Sequence, residues 1–242
     1  MTKFRSFSTV LALMLCFPGV ALAQAQTLDR AQLDKEIDEL WRQIKIKQDL
    51  LLEPDPADKE ANAEFLRLPD TGLIRLLPRE KYDYEGKLPI RGGGAYYSFV
   101  SRSHPYGRGS DIGLERGKLS VGFAGFDFGY MIPLGEIDLD KATLNHPAVK
   151  ALADYQPPPT EDEIRAQKSQ SHNGLKLGEF VGLRSVTPKE SASYALRSLN
   201  YDEWDILVAF RVTRLDVDGS MILLWRLLKT FPKPTAIRSE RY

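Results

Sequence analysis

Apolar residues recur at three- and four-residue steps between positions 28 and 52, where Leu33, Ile37, Leu40, Ile44 and Leu51 are separated by Asp, Glu, Lys and Gln. This period predicts an amphipathic helix, about 37 Å long at roughly 1.5 Å per residue. A heptad frame puts Ile37, Ile44 and Leu51 at one core position and Leu33 and Leu40 at the other, with Trp41 beside the stripe and Lys47 interrupting it. Weak self-association through residues 28–52 is one expectation; packing on the chain's own sheet, or loose tethering, is the other. Pro54 and Pro56 end the helix, because a residue preceding proline is driven out of the α region. A second short helical pattern, with Ala61, Phe65 and Leu66, stops at Pro69.

Period two takes over next. Residues 73–77 predict a first strand, and 79–89 read as loop. Short strands are predicted at 95–100, 110–115, 118–123 and 126–133, joined as a meander of tight hairpins through Arg116-Gly117 and Ala124-Gly125. Residues 91–130 hold ten of the 18 glycines and eight aromatics, and glycine inside strand patterns marks bends, bulges or close backbone approach. Alternation puts Phe126, Phe128 and Tyr130 on one face. With Tyr96, Tyr97, Phe99 and Tyr106 they are expected either as sheet core or as a stacking surface for a flat ligand.

From Leu139 the pattern turns helical. Asn145-His146-Pro147 predicts a helix start, with the helix running to about Asp154, and three prolines at 157–159 form a stiff spacer. Thr160 and Glu163 match a capping box for a second helix ending near Asn173-Gly174. That helix is nearly all polar, with Ile164 and Ala166 its main apolar residues, and is expected on the surface as a solvated insertion or a flap. Strand-like sequence returns at 178–187 and again at 193–199.

The strongest pattern closes the chain. Residues 205–215 and 220–231 are apolar runs around Asp218-Gly219, a favoured pair for a two-residue hairpin turn. Ile206, Val208, Phe210 and Val212 share one face, and Leu207, Ala209, Arg211 and Thr213 the other. A two-residue loop would set Val212 opposite Trp225, Phe210 opposite Leu227, and Arg211 opposite Arg226. Two readings follow for the facing arginines: they spread into solvent on the wet side of a one-sided sheet, or they join Arg197 in a basic surface for carboxylate or phosphate groups.

Charge and cysteine usage bound the compartment. Lys3 and Arg5 precede an apolar run at 10–20, then Ala21-Leu22-Ala23, which reads as a secretory signal cut after Ala23. The run is shorter than the roughly 20 residues of a membrane span. Leu15, before Cys16, is not the small residue that lipidation at Cys16 would want. Cleavage removes Lys3 and Arg5 and no acidic residue, leaving 219 residues with 31 basic against 33 acidic groups, a net charge of −2. Nothing in that balance suggests nucleic acid as a partner. Cys16 leaves with the signal, so the mature chain has no disulfide, thiol nucleophile or cysteine-zinc site. His104, His146 and His172 are widely separated and match no metal-ligand spacing, so neither metal nor cofactor is expected.

Residues 104–111, His-Pro-Tyr-Gly-Arg-Gly-Ser-Asp, are the best local candidate for a site, because His104, Tyr106, Arg108 and Asp111 fall together on one loop. Adjacent Ser110 and Asp111 would point to opposite faces, which argues against a triad with His104. Arg91-Gly92-Gly93-Gly94 leads into a strand pattern rather than a helix, so it reads as a flexible entry to the sheet and not a phosphate loop.

The pattern as a whole predicts an α+β protein. Its bent antiparallel sheet or partly closed barrel spans 57–242, preceded by the helix and proline linker of 24–56 and interrupted by a helical insertion at about 140–173. For function, the expectation is an exported, non-enzymatic binding or interaction protein of a bacterial periplasm or envelope, taking a small molecule or an envelope partner. The alternatives are an exported hydrolase built on 104–111, and a structural envelope protein that self-associates through its first helix.

Overall fold

The computed structural model describes residues 29–237. The apolar N-terminal run, the Ala23 cleavage point and Cys16 lie outside the described residues. The described residues fall into two compact units that divide between Gln43 and Ile44, inside helix α1 (Arg30–Leu52). Asp29 starts α1, its carboxylate accepting from the backbone N–H groups of Ala31 (3.1 Å) and Gln32 (3.3 Å). In the first unit Leu33, Ile37, Leu40 and Trp41 are exposed.

In the second unit, α2 (Pro56–Ala61) and α3 (Ala63–Leu66) lead into β1 (Thr71–Leu76). The segment after β1, expected as loop, holds one π-helical turn, Glu80–Tyr84. Arg79 pairs across it with Asp83 at 3.0 Å. The strands β2 (Tyr96–Tyr97), β3 (Ile112–Glu115), β4 (Lys118–Ser120) and β5 (Phe128–Gly135) follow. Then come α4 (Pro147–Asp154), α5 (Glu161–Gln170), β6 (Leu175–Leu177), β7 (Phe180–Gly182), β8 (Ser185–Val186), β9 (Ser193–Asn200), β10 (Trp204–Leu215) and β11 (Met221–Phe231).

The strands form antiparallel sheets, one of order β1-β11-β10-β9-β5, one of order β2-β3-β4-β8, and the β6-β7 pair; none closes into a barrel. The expected meander breaks after β4. Leu119 pairs with Val186 of β8, while β5 crosses to the larger sheet beside β9. Between the two large sheets lies a core that includes Tyr97, Phe99, Ile112, Leu114, Val208, Phe210, Leu223 and Trp225.

The larger sheet is covered on its second face as well, which corrects the one-sided expectation. Every residue of β9 is buried, and Ala195, Leu199 and Leu207 pack with Phe128, Tyr130, Val149, Leu152 and Ile164. The reason is that Leu207 and Ala209 are themselves apolar, so both faces of β10 gain by leaving water, each large side chain contributing about 1.5–3 kcal/mol. Ile164 is fully buried, Gln167 donates to the Tyr130 hydroxyl at 2.6 Å, and Thr160 and Glu163 close the predicted capping box. The polar helix α5 is therefore pinned to the sheet.

The closing hairpin keeps its predicted faces but not its predicted register. Phe210 faces Trp225, Val212 faces Leu223, and Arg211 faces Leu224, while Arg226 lies opposite Ala209. Of Asp218 and Gly219 only Gly219 has positive φ (88°), so the tight turn that needs both does not form. Instead the Asp216 N–H donates to the Ser220 carbonyl (2.8 Å), and the Asp218 carboxylate accepts from the Ser220 N–H (2.9 Å). A register shift between Val212 and Arg214 follows. The pairing moves by two residues relative to expectation, and an even shift preserves the faces.

Candidate functional site

The three arginines expected to share a basic surface have separate fates. Arg197 is 2% exposed; its Nε and Nη2 donate to Asp205 at 2.6 and 2.7 Å, and Nη1 donates to the carbonyls of Leu152, Ala153 and Tyr155. Its guanidinium also lies 3.4 Å from the centre of the Phe231 ring. Arg197 thus ties the C-terminal end of α4, where orphan carbonyls gather, to the sheet. Arg211 pairs with Asp138, and Arg226 is half-buried on β11. The expected Arg211–Arg226 pair is absent because of the hairpin register.

The loop candidate also divides. Asp111 is fully buried: one oxygen accepts from Ser198 Oγ (2.7 Å), Asn200 Nδ2 (2.8 Å) and Trp204 Nε1 (2.8 Å), the other from the Phe99 N–H (2.8 Å). Burial pushes its carboxyl above the usual carboxylate range, against the pull of those donors. This is a structural knot between the sheets. His104 lines a separate hollow of about 470 Å³ beside Tyr97, Arg102, Asp49 and Glu53. Its Nδ1 is buried without a partner among the described residues, and burial lowers its pKa. His104 is not among the hydrogen-bond partners of Asp111 in the described residues. His172 meets the Arg184 guanidinium at 2.8 Å through Nε2.

Tyr106 and Arg108 do meet other functional groups. They line a cleft of about 490 Å³ with Arg79, Arg91, Arg184, Tyr96, Glu115 and Phe123. Of Arg91-Gly92-Gly93-Gly94, Arg91 lines the cleft, and the glycines after it are buried and tightly packed rather than flexible. Gly92 has φ +84°, and a Cβ there would stand 2.7 Å from the Tyr106 ring and 2.8 Å from the Tyr96 ring. Only glycine lets the backbone pass between strand and rings at this point. Its N–H donates to the Asp83 carboxylate (3.2 Å), which fixes the run to the π-helical turn.

The cations of the cleft are bound with unequal strength. Arg79 is fully engaged, pairing with Asp83 (3.0 Å) and Glu115 (2.7 Å) and donating to the Tyr106 hydroxyl (2.9 Å). Burial opposes its charge, but the hydrogen bonds to Asp83 and Glu115 outweigh that and raise its pKa. The Tyr96 hydroxyl donates to Glu115 as well; burial first, then that carboxylate, raises the phenol's pKa. Arg184 donates to the carbonyls of Val121 (3.2 Å) and Gly122 (2.9 Å). Arg91 lies over the Tyr106 ring, 4.5 Å from its centre, and forms no ion pair among the described residues. Arg108, its side chain 66% exposed, pairs with Glu203 at 2.7 Å. An exposed pair of this kind contributes about 0–1 kcal/mol, so Arg108 can change partners at little cost. Arg91 and Arg108 are therefore the groups free to take an anion.

Sequence reasoning missed Arg79 and Arg91 from the β1–β2 connection and Arg184 from far along the chain, and it missed Asp127. Asp127 is 5% exposed and one of its oxygens has no partner among the described residues. It lines a smaller cavity of about 180 Å³ that shares Arg108 and Ala124 with the arginine cleft. Burial pushes its carboxyl up to about 7. One signal was present: alternation puts Asp127 on the face opposite Phe126 and Phe128, a charge inside an apolar strand pattern.

Other hollows are poorer candidates. One of about 620 Å³ between α4 and the β6-β7 pair is open, and its Lys150 and Asp154 are already paired at 2.5 Å. Among the described residues no group of His, Cys, Asp and Glu could hold a metal ion, and no helix is long and apolar enough to cross a membrane. No protein-family model matches the chain, and no curated protein or solved structure matches it significantly. Fold and cleft together define the class, a mixed helix and antiparallel-sheet protein with an arginine- and tyrosine-lined cleft.

Proposed function

We propose that this chain is an exported, non-enzymatic binding protein whose ligand is a small molecule with a carboxylate or phosphate group, held in the cleft of Arg91, Tyr106 and Arg108. One observation carries the reading: four arginines face a single cleft, and two of them lack a committed partner. A guanidinium offers its donors in a planar fork that matches either anion, and the tyrosine rings supply apolar walls. Export rests on the N-terminal pattern ending at Ala23. The test is native mass spectrometry of the mature protein from its own envelope, followed by calorimetry with the retained molecule. Recovery of an anionic molecule whose affinity falls about tenfold or more in Arg91→Ala supports the reading. A retained molecule that binds Arg91→Ala and Arg108→Ala as tightly as wild type would sink it.

A second reading, self-association through α1, is favoured by the exposed Leu33, Ile37, Leu40 and Trp41 on one helix. Sedimentation of the mature protein decides it. An oligomer that becomes a monomer on Leu40→Glu supports this reading, and a monomer at every concentration removes it.

A further inference from the structure

Asp127 sits where a binding protein for simple anions has no use for a carboxylate. It is buried and turned toward a cavity of about 180 Å³, with one oxygen unpartnered among the described residues, immediately beside a cleft built of arginines. Leaving a buried polar group unmatched is costly, so such a group in a cavity points to something that fills it. The charges facing it come from several elements. Lys168 of α5 and Arg108 favour its ionised form, while Glu203 and Asp111 disfavour it. Lys168 donates to the Gly125 carbonyl at 2.8 Å, at the wall of the same cavity, and forms no ion pair with Asp127 among the described residues.

Arg108 stands on the boundary of both cavities, and its present partner is Glu203. When Arg108 turns to a ligand's anion, Glu203 loses its cation. The smaller cavity is then lined by Asp127 and Asp202, with the Glu203 charge acting on Asp127 from nearby, a site of opposite sign to its neighbour. We infer that the ligand is amphoteric, with its anionic group on Arg91 and Arg108 and a primary ammonium in the adjoining cavity on Asp127. The inference rests on the anion-binding reading above and deepens it. Arg108 exchanges one carboxylate for another anion, and the ammonium replaces what the acidic cavity loses. Ammonium binding favours the Asp127 carboxylate over its protonated form, so affinity for the amine rises with pH through the neutral range.

The experiment is calorimetric titration of the mature protein with matched probes: alkyl phosphates and alkyl carboxylates from ethyl to butyl, each with and without a terminal amine. The chain-length series covers the separation between the two cavities, and the two head groups distinguish a phosphate ligand from a carboxylate one. The expected result is that one amino probe binds about tenfold tighter than its plain counterpart. Asp127→Asn removes that increment. In the wild type, the increment for the carboxylate pair grows between about pH 6 and about pH 8, a range in which neither probe group titrates. This second measurement needs no variant and so does not depend on the fold of Asp127→Asn. Equal binding of amino and plain probes, or an increment that survives in Asp127→Asn or is flat with pH, overturns this inference while the anion reading stands. Absence of binding by every probe overturns both.

Discussion

Arg197 and Arg108 belong to the same α+β unit and differ in what satisfies them. Arg197 spends its donors on Asp205 and on carbonyls at the end of α4, is stacked on Phe231, and has almost no exposure. Arg108 has one partner, Glu203, and is mostly in solvent. The same contrast separates Asp111, with four donors, from Asp127, with an oxygen unmatched among the described residues. A charged side chain whose partners are complete and buried holds the fold together. One with exchangeable or missing partners at a cavity is available for a ligand. Residue type does not separate these roles, and between the two aspartates burial does not either; the completeness of the hydrogen bonding does.

The largest effect that tests this contrast is on the saturated side. Arg197→Ala strands the Asp205 carboxylate and three helix-end carbonyls, and is expected to cost about 3–5 kcal/mol in urea denaturation. Replacing Arg197 and Asp205 together with apolar residues of similar volume should recover most of that loss. A loss under about 1 kcal/mol for the single variant would break the contrast.

A smaller effect comes from Asp127. Its carboxyl titrates at about 7 in the folded chain and near the ordinary carboxylate value when unfolded, so between those values the folded state binds more protons. Stability from this group is therefore lost as pH rises from about 4 to about 7. Asp127→Asn should flatten that fall, and thermal melts of the two proteins across this range should diverge as pH rises. Parallel curves would mean that the carboxyl is not buried in solution.

The smallest effect on stability belongs to Arg108. Arg108→Ala is expected to change unfolding free energy by less than about 1 kcal/mol, as an exposed pair should. It should nonetheless lower affinity for an anionic ligand by about tenfold, the difference between a structural and a ligand-facing arginine. Unchanged affinity, or a stability loss as large as that of Arg197→Ala, would erase the distinction.

Much of the architecture was legible along the chain. Pro147 as helix start, the Thr160–Glu163 capping box, and the closing strand pair with its faces all appear where the pattern put them. The site was less legible. Tyr106 and Arg108 were singled out and do line the cleft, but Asp111 turned inward, His104 lines another hollow, and Arg91 was set aside with its glycines.

The sequence by itself determined the local elements, because a cap, a helix start or an alternation depends on residues a few positions apart. Only the tertiary structure decided which face of the main sheet a helix would cover, and so that Arg197 would be buried against α4 rather than wet. It alone decided the hairpin register, through the Asp216–Ser220 loop and the bulge before Arg214. It alone assembled the cleft, since Arg108 and Arg184 reach Arg79 and Arg91 only when the strands between them have paired. The physical reason is common to all three: burial and partner completeness are properties of what packs from elsewhere, and no local pattern carries that information.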